Sequence, residues 1–193
     1  MLSRSFVLLA STAALAACNS GQPTAPLANK TTASAAKPAP SDPVQSAMLA
    51  APAVIAKDAA IVAVNPDGTM KLIREGTNGF TCMPDNPQTP GHDPMCMDAN
   101  AMNWAEAWMG HKPPPADNVG LMYMFAGGSD ASNTDPYGTK PADGKWVETG
   151  PHIMVVGAGS LNKLYSAGDK PDTTKSYVMF GGTPYAHVMV PIQ

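Results

Sequence analysis

Thr77-Asn78-Gly79-Phe80-Thr81-Cys82, a proline-rich run, Pro94-Met95-Cys96-Met97-Asp98, then eleven residues from Ala99 to Met109 and Gly110: this stretch decides the fold. Pro84, Pro87, Pro90 and Pro94 deny the segment between Cys82 and Cys96 regular structure, so its ends must hold it. The two cysteines lie beyond the export-like leader, and an even pair in an exported domain reads as a disulfide. Closing such a loop is worth about 3 kcal/mol in the chain-entropy account. Asp98 can cap a helix over Ala99–Met109, where Ala101, Trp104, Ala105 and Trp108 recur at intervals of three and four and form one apolar face. Gly110 is expected to end it, with His111 and Lys112 favourably placed for the helix dipole. Pro113-Pro114-Pro115 then forces an extended exit.

Working back towards the start, Asn65-Pro66-Asp67-Gly68 has proline at the second turn position and glycine at the fourth. That predicts a type I turn joining Ile61–Val64 to Thr69–Arg74 as a hairpin. Short helical turns are expected over Ser46–Ala50 and Ala53–Lys57. Residues 19–42 are rich in Ala, Thr, Ser, Pro and Lys and cannot bury enough apolar surface to fold. Arg4 and the apolar run Phe6–Ala10 read as a secretory signal too short to span a bilayer.

Working forward, Gly120–Ala126, a strand starting near Trp146, His152–Val156, Tyr177–Phe180 and Ala186–Val190 read as strands. The stretch from Gly127 to Tyr137 reads as a long polar loop, and long ordered loops are often functional. The expected architecture is α+β: a small antiparallel sheet, one main helix, long ordered loops and one disulfide. The expected division is a signal peptide over 1–17, a lipidated Cys18 with a disordered tether over 18–42, and one globular domain over 43–193.

Two resemblances sharpen this. Leu15-Ala16-Ala17-Cys18 resembles the lipobox of bacterial lipoproteins. It implies cleavage before Cys18, lipid on that residue, and several acyl chains giving stable anchoring. Asn19 after the cysteine implies the outer membrane, facing the periplasm, rather than retention at the inner one. Loss of Arg4 with the signal takes the formal charge from −3 to −4. Separately, Arg74-Glu75-Gly76-Thr77-Asn78-Gly79-Phe80-Thr81-Cys82-Met83-Pro84-Asp85, Ser132-Asn133-Thr134-Asp135-Pro136, Gly150-Pro151-His152-Ile153-Met154 and Gly182-Thr183-Pro184-Tyr185-Ala186-His187-Val188-Met189-Val190-Pro191 resemble a family of uncharacterised bacterial exported proteins over roughly residues 45–191. The resemblance implies no mechanism.

Three functional readings follow. The first is an envelope-associated domain binding a small molecule through Ser132, Asn133, Asp135, His152 and His187, with no cofactor; the acidic balance gives no footprint for nucleic acid. The second is a hydrolase-like enzyme: Asp130, Asp135, His152 and His187 for acid–base work, and Ser129, Ser132 or Thr183 as hydroxyl nucleophile. No Gly-x-Ser-x-Gly elbow supports it. The third is copper. Residues i and i+2 of a strand share a face, so His152 with Met154 and His187 with Met189 offer imidazole and thioether, ligands that suit Cu(I). Against it, 13 methionines in one chain make such pairs easily, and methionine fills irregular cores.

Overall fold

The computed structural model describes residues 40–192. The expected signal peptide, Cys18 and all but the last residues of the expected tether lie outside the described residues. The chain enters through two short helices, α1 (Pro43–Met48) and α2 (Ala53–Ala56). Asp42 caps α1 by accepting from the Val44 N–H at 2.8 Å, and Pro43 sits where a missing N–H costs nothing. The hairpin follows as β1 (Ala60–Val64) and β2 (Met70–Arg74), closed by the Gly68 N–H donating to the Asn65 carbonyl at 2.9 Å.

The expected small antiparallel sheet is in fact large and mixed. Eight strands run in the order β2-β1-β3 (Thr81–Met83)-β4 (Met95–Met97)-β5 (Gly120–Met124)-β8 (His152–Val156)-β10 (His187–Pro191)-β9 (Tyr177–Met179), and β1 pairs with β3 in parallel. The sheet grew because of two strands hidden among the prolines, β3 (Thr81–Met83) and β4 (Met95–Met97). Each is three residues long, too short to show alternation, yet they join the hairpin to the strands that follow. Cys82 and Cys96 stand directly opposite each other in this pair and are bonded. The disulfide therefore staples the seam of the sheet.

The later strands are β5 (Gly120–Met124), β8 (His152–Val156), β9 (Tyr177–Met179) and β10 (His187–Pro191). The start of the expected polar loop is itself a strand: β6 (Gly128–Asp130) pairs with β7 (Val147–Thr149) in a separate two-stranded ribbon.

The main helix, α3 (Ala99–Met109), has the predicted bounds. Asp98 divides its carboxylate, one oxygen accepting from Ala101 N–H at 2.8 Å and the other from Leu121 N–H at 3.0 Å. One residue thus caps α3 and ties it to β5. A Cβ on Gly120 would lie 2.2 Å from the Ala101 nitrogen, so glycine is what lets helix and strand touch. The C-terminal end differs from expectation. Gly110 keeps a negative φ, and the left-handed residue is His111 at φ 55°. The Lys112 N–H reaches the Ala107 carbonyl and the His111 N–H the Trp108 carbonyl, a Schellman closure. The His111 ring stacks on Tyr137, centroids 3.9 Å apart, which holds a non-glycine residue in that conformation.

Alternation along the strands sorts the side chains into two cores. On one face Ile61, Cys82 and Cys96 pack with the alanines of α1 and α2. On the other, α3 covers Met97, Met122, Met124, Met154, Met179 and Met189. His152 and His187 are buried on this second face, which is where chemistry can be sought.

Candidate functional site

Cross-strand register fixes what meets on the α3 face. Met122 stands opposite Met154, Met154 opposite Met189, and Met189 opposite Tyr177. His187 stands opposite Met179, and His152 is flanked by Met124 and Pro191. The two histidines therefore lie four positions apart along paired strands, about 13 Å at the usual rise, on opposite sides of the methionine row. The structure places His152 with Met154 and His187 with Met189 on one face, offset by that register, and a charge on His152 would still be felt at His187.

Each imidazole is fixed in one tautomer. His152 Nδ1 lies 2.7 Å from the Gly150 carbonyl and His187 Nδ1 lies 2.9 Å from that of Tyr185. A carbonyl only accepts, so Nδ1 carries the hydrogen and Nε2 holds a bare lone pair. Neither Nε2 has a hydrogen-bond partner. Burial lowers both pKa values against the opposing pull of those carbonyls, and His187 falls to about 4. Both rings are neutral at physiological pH.

Beneath α3 a cavity of about 70 Å³ is lined by the sheet methionines Met122, Met124, Met154, Met179 and Met189. Met95, Trp104, Trp108, Phe180, His187 and Asp130 complete most of its wall. His187 meets Trp104 edge-on at 5.1 Å, and the Trp104 Nε1–H is also without a partner. Outside it lies an open cleft of about 230 Å³, edged by Asn86, Gln88, Thr89, Ser129, Ser132, Asp135 and Trp146. Met95, Trp108, Phe180 and Asp130 belong to both, so they form the partition between cleft and cavity.

Asp130 is the anomalous member. It ends β6, half-buried, and among the described residues no hydrogen bond reaches its carboxyl oxygens. Burial first, and the charge of Asp93 second, push its pKa up to about 7. Asp93 is buried too, but it is satisfied. One oxygen accepts from the Ser129 N–H at 2.6 Å and the other from the Thr89 hydroxyl, so it ties the proline-rich loop to β6. Those bonds oppose a pKa that burial still raises.

The remaining loop residues are occupied by the turn itself. The Ser132 hydroxyl accepts from Thr134 and Asp135 N–H groups, and the Asp135 carboxylate accepts from Tyr137 N–H. Both still edge the cleft. Asn133 is buried, and its amide donates to the Gly168 and Val178 carbonyls, clamping the loop to β9. It is a structural strap away from the cleft. Of the proposed nucleophiles, Thr183 donates to the Phe180 carbonyl in a turn, and neither His152 nor His187 is hydrogen-bonded to a serine or threonine hydroxyl. Asp130 stood among the acid–base residues but not in the expected binding set. Trp108, Trp146 and Met179 were in neither, since their meeting depends on register and on loop path.

Among the described residues no three His, Cys, Asp or Glu side chains converge as a metal site. A metal ion here would have to take thioethers. Comparison with protein-family models, with curated proteins and with solved structures finds no match.

Proposed function

We propose that this domain binds a small polar ligand in the cleft above Asp130, and that lipid on Cys18 holds it at the outer membrane facing the periplasm. The observation that carries the reading is a carboxyl group without a partner at the floor of a cleft flanked by Trp108 and Trp146. The carboxyl is half-buried and reached from the cleft, so a ligand donor can pair with an acceptor that no protein group satisfies. Asp93, Asp130 and Asp135 edge the cleft, while no lysine or arginine does. That charge pattern favours an ammonium or a set of hydroxyls over an anion. Indole faces suit the same two classes through cation–π attraction and contact with apolar ring faces.

Asp130 also sustains the acid–base reading, because a carboxyl with pKa about 7 can give or take a proton at neutral pH. The hydroxyl–imidazole pair that a hydrolase would need has no support in the geometry, so binding is the better account.

The test is indole fluorescence of the full chain titrated with simple amines, amino sugars and neutral sugars. One of these classes should quench with saturation, and Asp130→Asn should weaken that binding at least tenfold. A Trp146→Phe variant with unchanged titration would overturn the cleft as the site. Anchoring has its own test: Cys18→Ser should leave the membrane fraction or accumulate as uncleaved precursor, and normal partition would refute it.

A further inference from the structure

We infer that the cavity beneath α3 is a binding site for a single soft monovalent ion, Cu(I), held by His187 Nε2 and the thioethers of Met179 and Met189. His187 and Met179 are directly paired across β10 and β9, so their Cβ atoms lie about 5 Å apart on one face. Met189 is two residues from His187 on the same strand and faces the same way. Met154, paired with Met189, stands behind them as a further sulfur. All of these side chains line the cavity.

Two features separate this arrangement from a core that merely uses methionine as filler. The first is the imidazole. Its Nδ1–H is bonded to the Tyr185 carbonyl, which orients the ring and leaves a buried Nε2 lone pair with no partner in the cavity wall. A backbone carbonyl behind the ring is the usual way a ligating histidine is held. The second is charge. The wall contains one carboxyl group, Asp130, which can ionise to give a monovalent cation its counter-charge in the same cavity.

The ion type follows from the donors. Thioethers and imidazole select Cu(I) from the biological metals, whereas zinc would call for thiolates, carboxylates or more imidazoles. His152 is outside the site, since it lies beyond the Met154–Met189 row opposite Pro191. Entry runs from the cleft past Asp130 and Phe180, which form the partition. Phe180 is held at φ 56°, a conformation uncommon for an aromatic residue.

The bland occupant is water, accepting from Trp104 Nε1–H and donating to His187 Nε2. The experiment therefore titrates the oxidised full chain with Cu(I), without oxygen, against a chromophoric Cu(I) chelator. One equivalent should be withheld from the chelator. Met179→Leu and Met189→Leu keep volume and remove sulfur; each should weaken retention at least tenfold, while Met70→Leu on the exposed hairpin leaves it unchanged. Zinc added in place of Cu(I) should not bind. Should the leucine variants unfold, Ag(I) added to wild-type protein with labelled methionine methyls decides the matter: Met179 and Met189 signals should move first and saturate at one equivalent. No retention against the chelator, undiminished retention in folded leucine variants, or silver shifts confined to exposed methionines would each overturn the site. None of these readings depends on the cleft ligand.

Discussion

Asp130→Asn isolates the central electrostatic claim. In the folded protein the carboxyl holds its proton up to a pKa of about 7, against 3.8 for the ordinary group. Between those values the folded form carries a proton that the unfolded form has lost. Stability must then fall as pH rises through that window and level off above it. Each pH unit inside the window is worth about 1.4 kcal/mol, so full burial would cost roughly 4 kcal/mol by pH 8. Asp130 retains some access to the cleft, and solvent screening lowers that ceiling. Asparagine has nearly the same shape and no titration. The wild type should therefore lose about 1–3 kcal/mol relative to Asp130→Asn between pH 5 and pH 8.

His187 and His152 act in the opposite sense. Their lowered pKa values make the unfolded form the better proton binder, so they remove stability as pH falls below 6.5. Over pH 4–6.5 these slopes oppose that of Asp130, and the wild-type curve alone can look flat. Comparing the two proteins at each pH cancels the histidines. The assay is urea unfolding followed by indole fluorescence at pH 5, 6, 7 and 8, with the disulfide intact and the slope against urea checked for equality. A gap between the proteins that is constant with pH, or that moves in the wild type's favour as pH rises, would refute the buried carboxyl.

Two further outcomes are expected. Oxidised protein should have an intact mass about 2 Da below the dithiol form, and Cys82→Ala with Cys96→Ala should cost about 3 kcal/mol; free-thiol labelling of both cysteines in native, unreduced protein would contradict this. Gly76→Ala should cost more than about 3 kcal/mol or prevent folding, since its Cβ would fall 2.0 Å from the Ala60 backbone nitrogen; a melting temperature within a few degrees of wild type would show that the crossing is not as tight as described.

What was legible in the sequence had local causes. Helix α3 announced itself through its spaced alanines and tryptophans and the Asp98 cap, and the hairpin through Asn65-Pro66-Asp67-Gly68. The shared faces of His152 with Met154 and His187 with Met189 follow from strand period alone. What was hidden depended on distant partners. Strands β3 and β4 have three residues each and gain their identity only by pairing. The pairing of His187 with Met179, and the four-position offset of His152, are matters of register, which no single strand encodes. Asn133 looked like a ligand-binding amide, yet its partners are carbonyls 35 and 45 residues away.

The most distinctive motif in the chain proves to be mechanical. Arg74 donates to the Ala56 carbonyl at the end of α2 and to the Ala59 carbonyl just before β1, Asn78 to the Ile55 carbonyl, and Gly76 passes against Ala60. Thr77 N–H completes the clasp at Asp58. Every polar group named there has a partner, so the run from Arg74 to Phe80 is accounted for by the crossover it makes past β1, from β2 to β3. Satisfied polar groups explain structure; unsatisfied buried ones call for something else. Among the described residues, fully buried side-chain polar atoms without partners occur on Trp104, Asn133, His152, Asn162 and His187. Two of those five residues, Trp104 and His187, line the methionine cavity, and the unpartnered carboxyl of Asp130 closes it towards the cleft. A core built only for stability would gain by placing leucine at His187, since the imidazole is desolvated there and half of its hydrogen-bonding capacity goes unused. His187→Leu should accordingly match or exceed the wild type in thermal stability while losing Cu(I) retention. A variant that instead melts well below the wild type would assign the imidazole to the fold, through its Tyr185 bond, and not to a ligand.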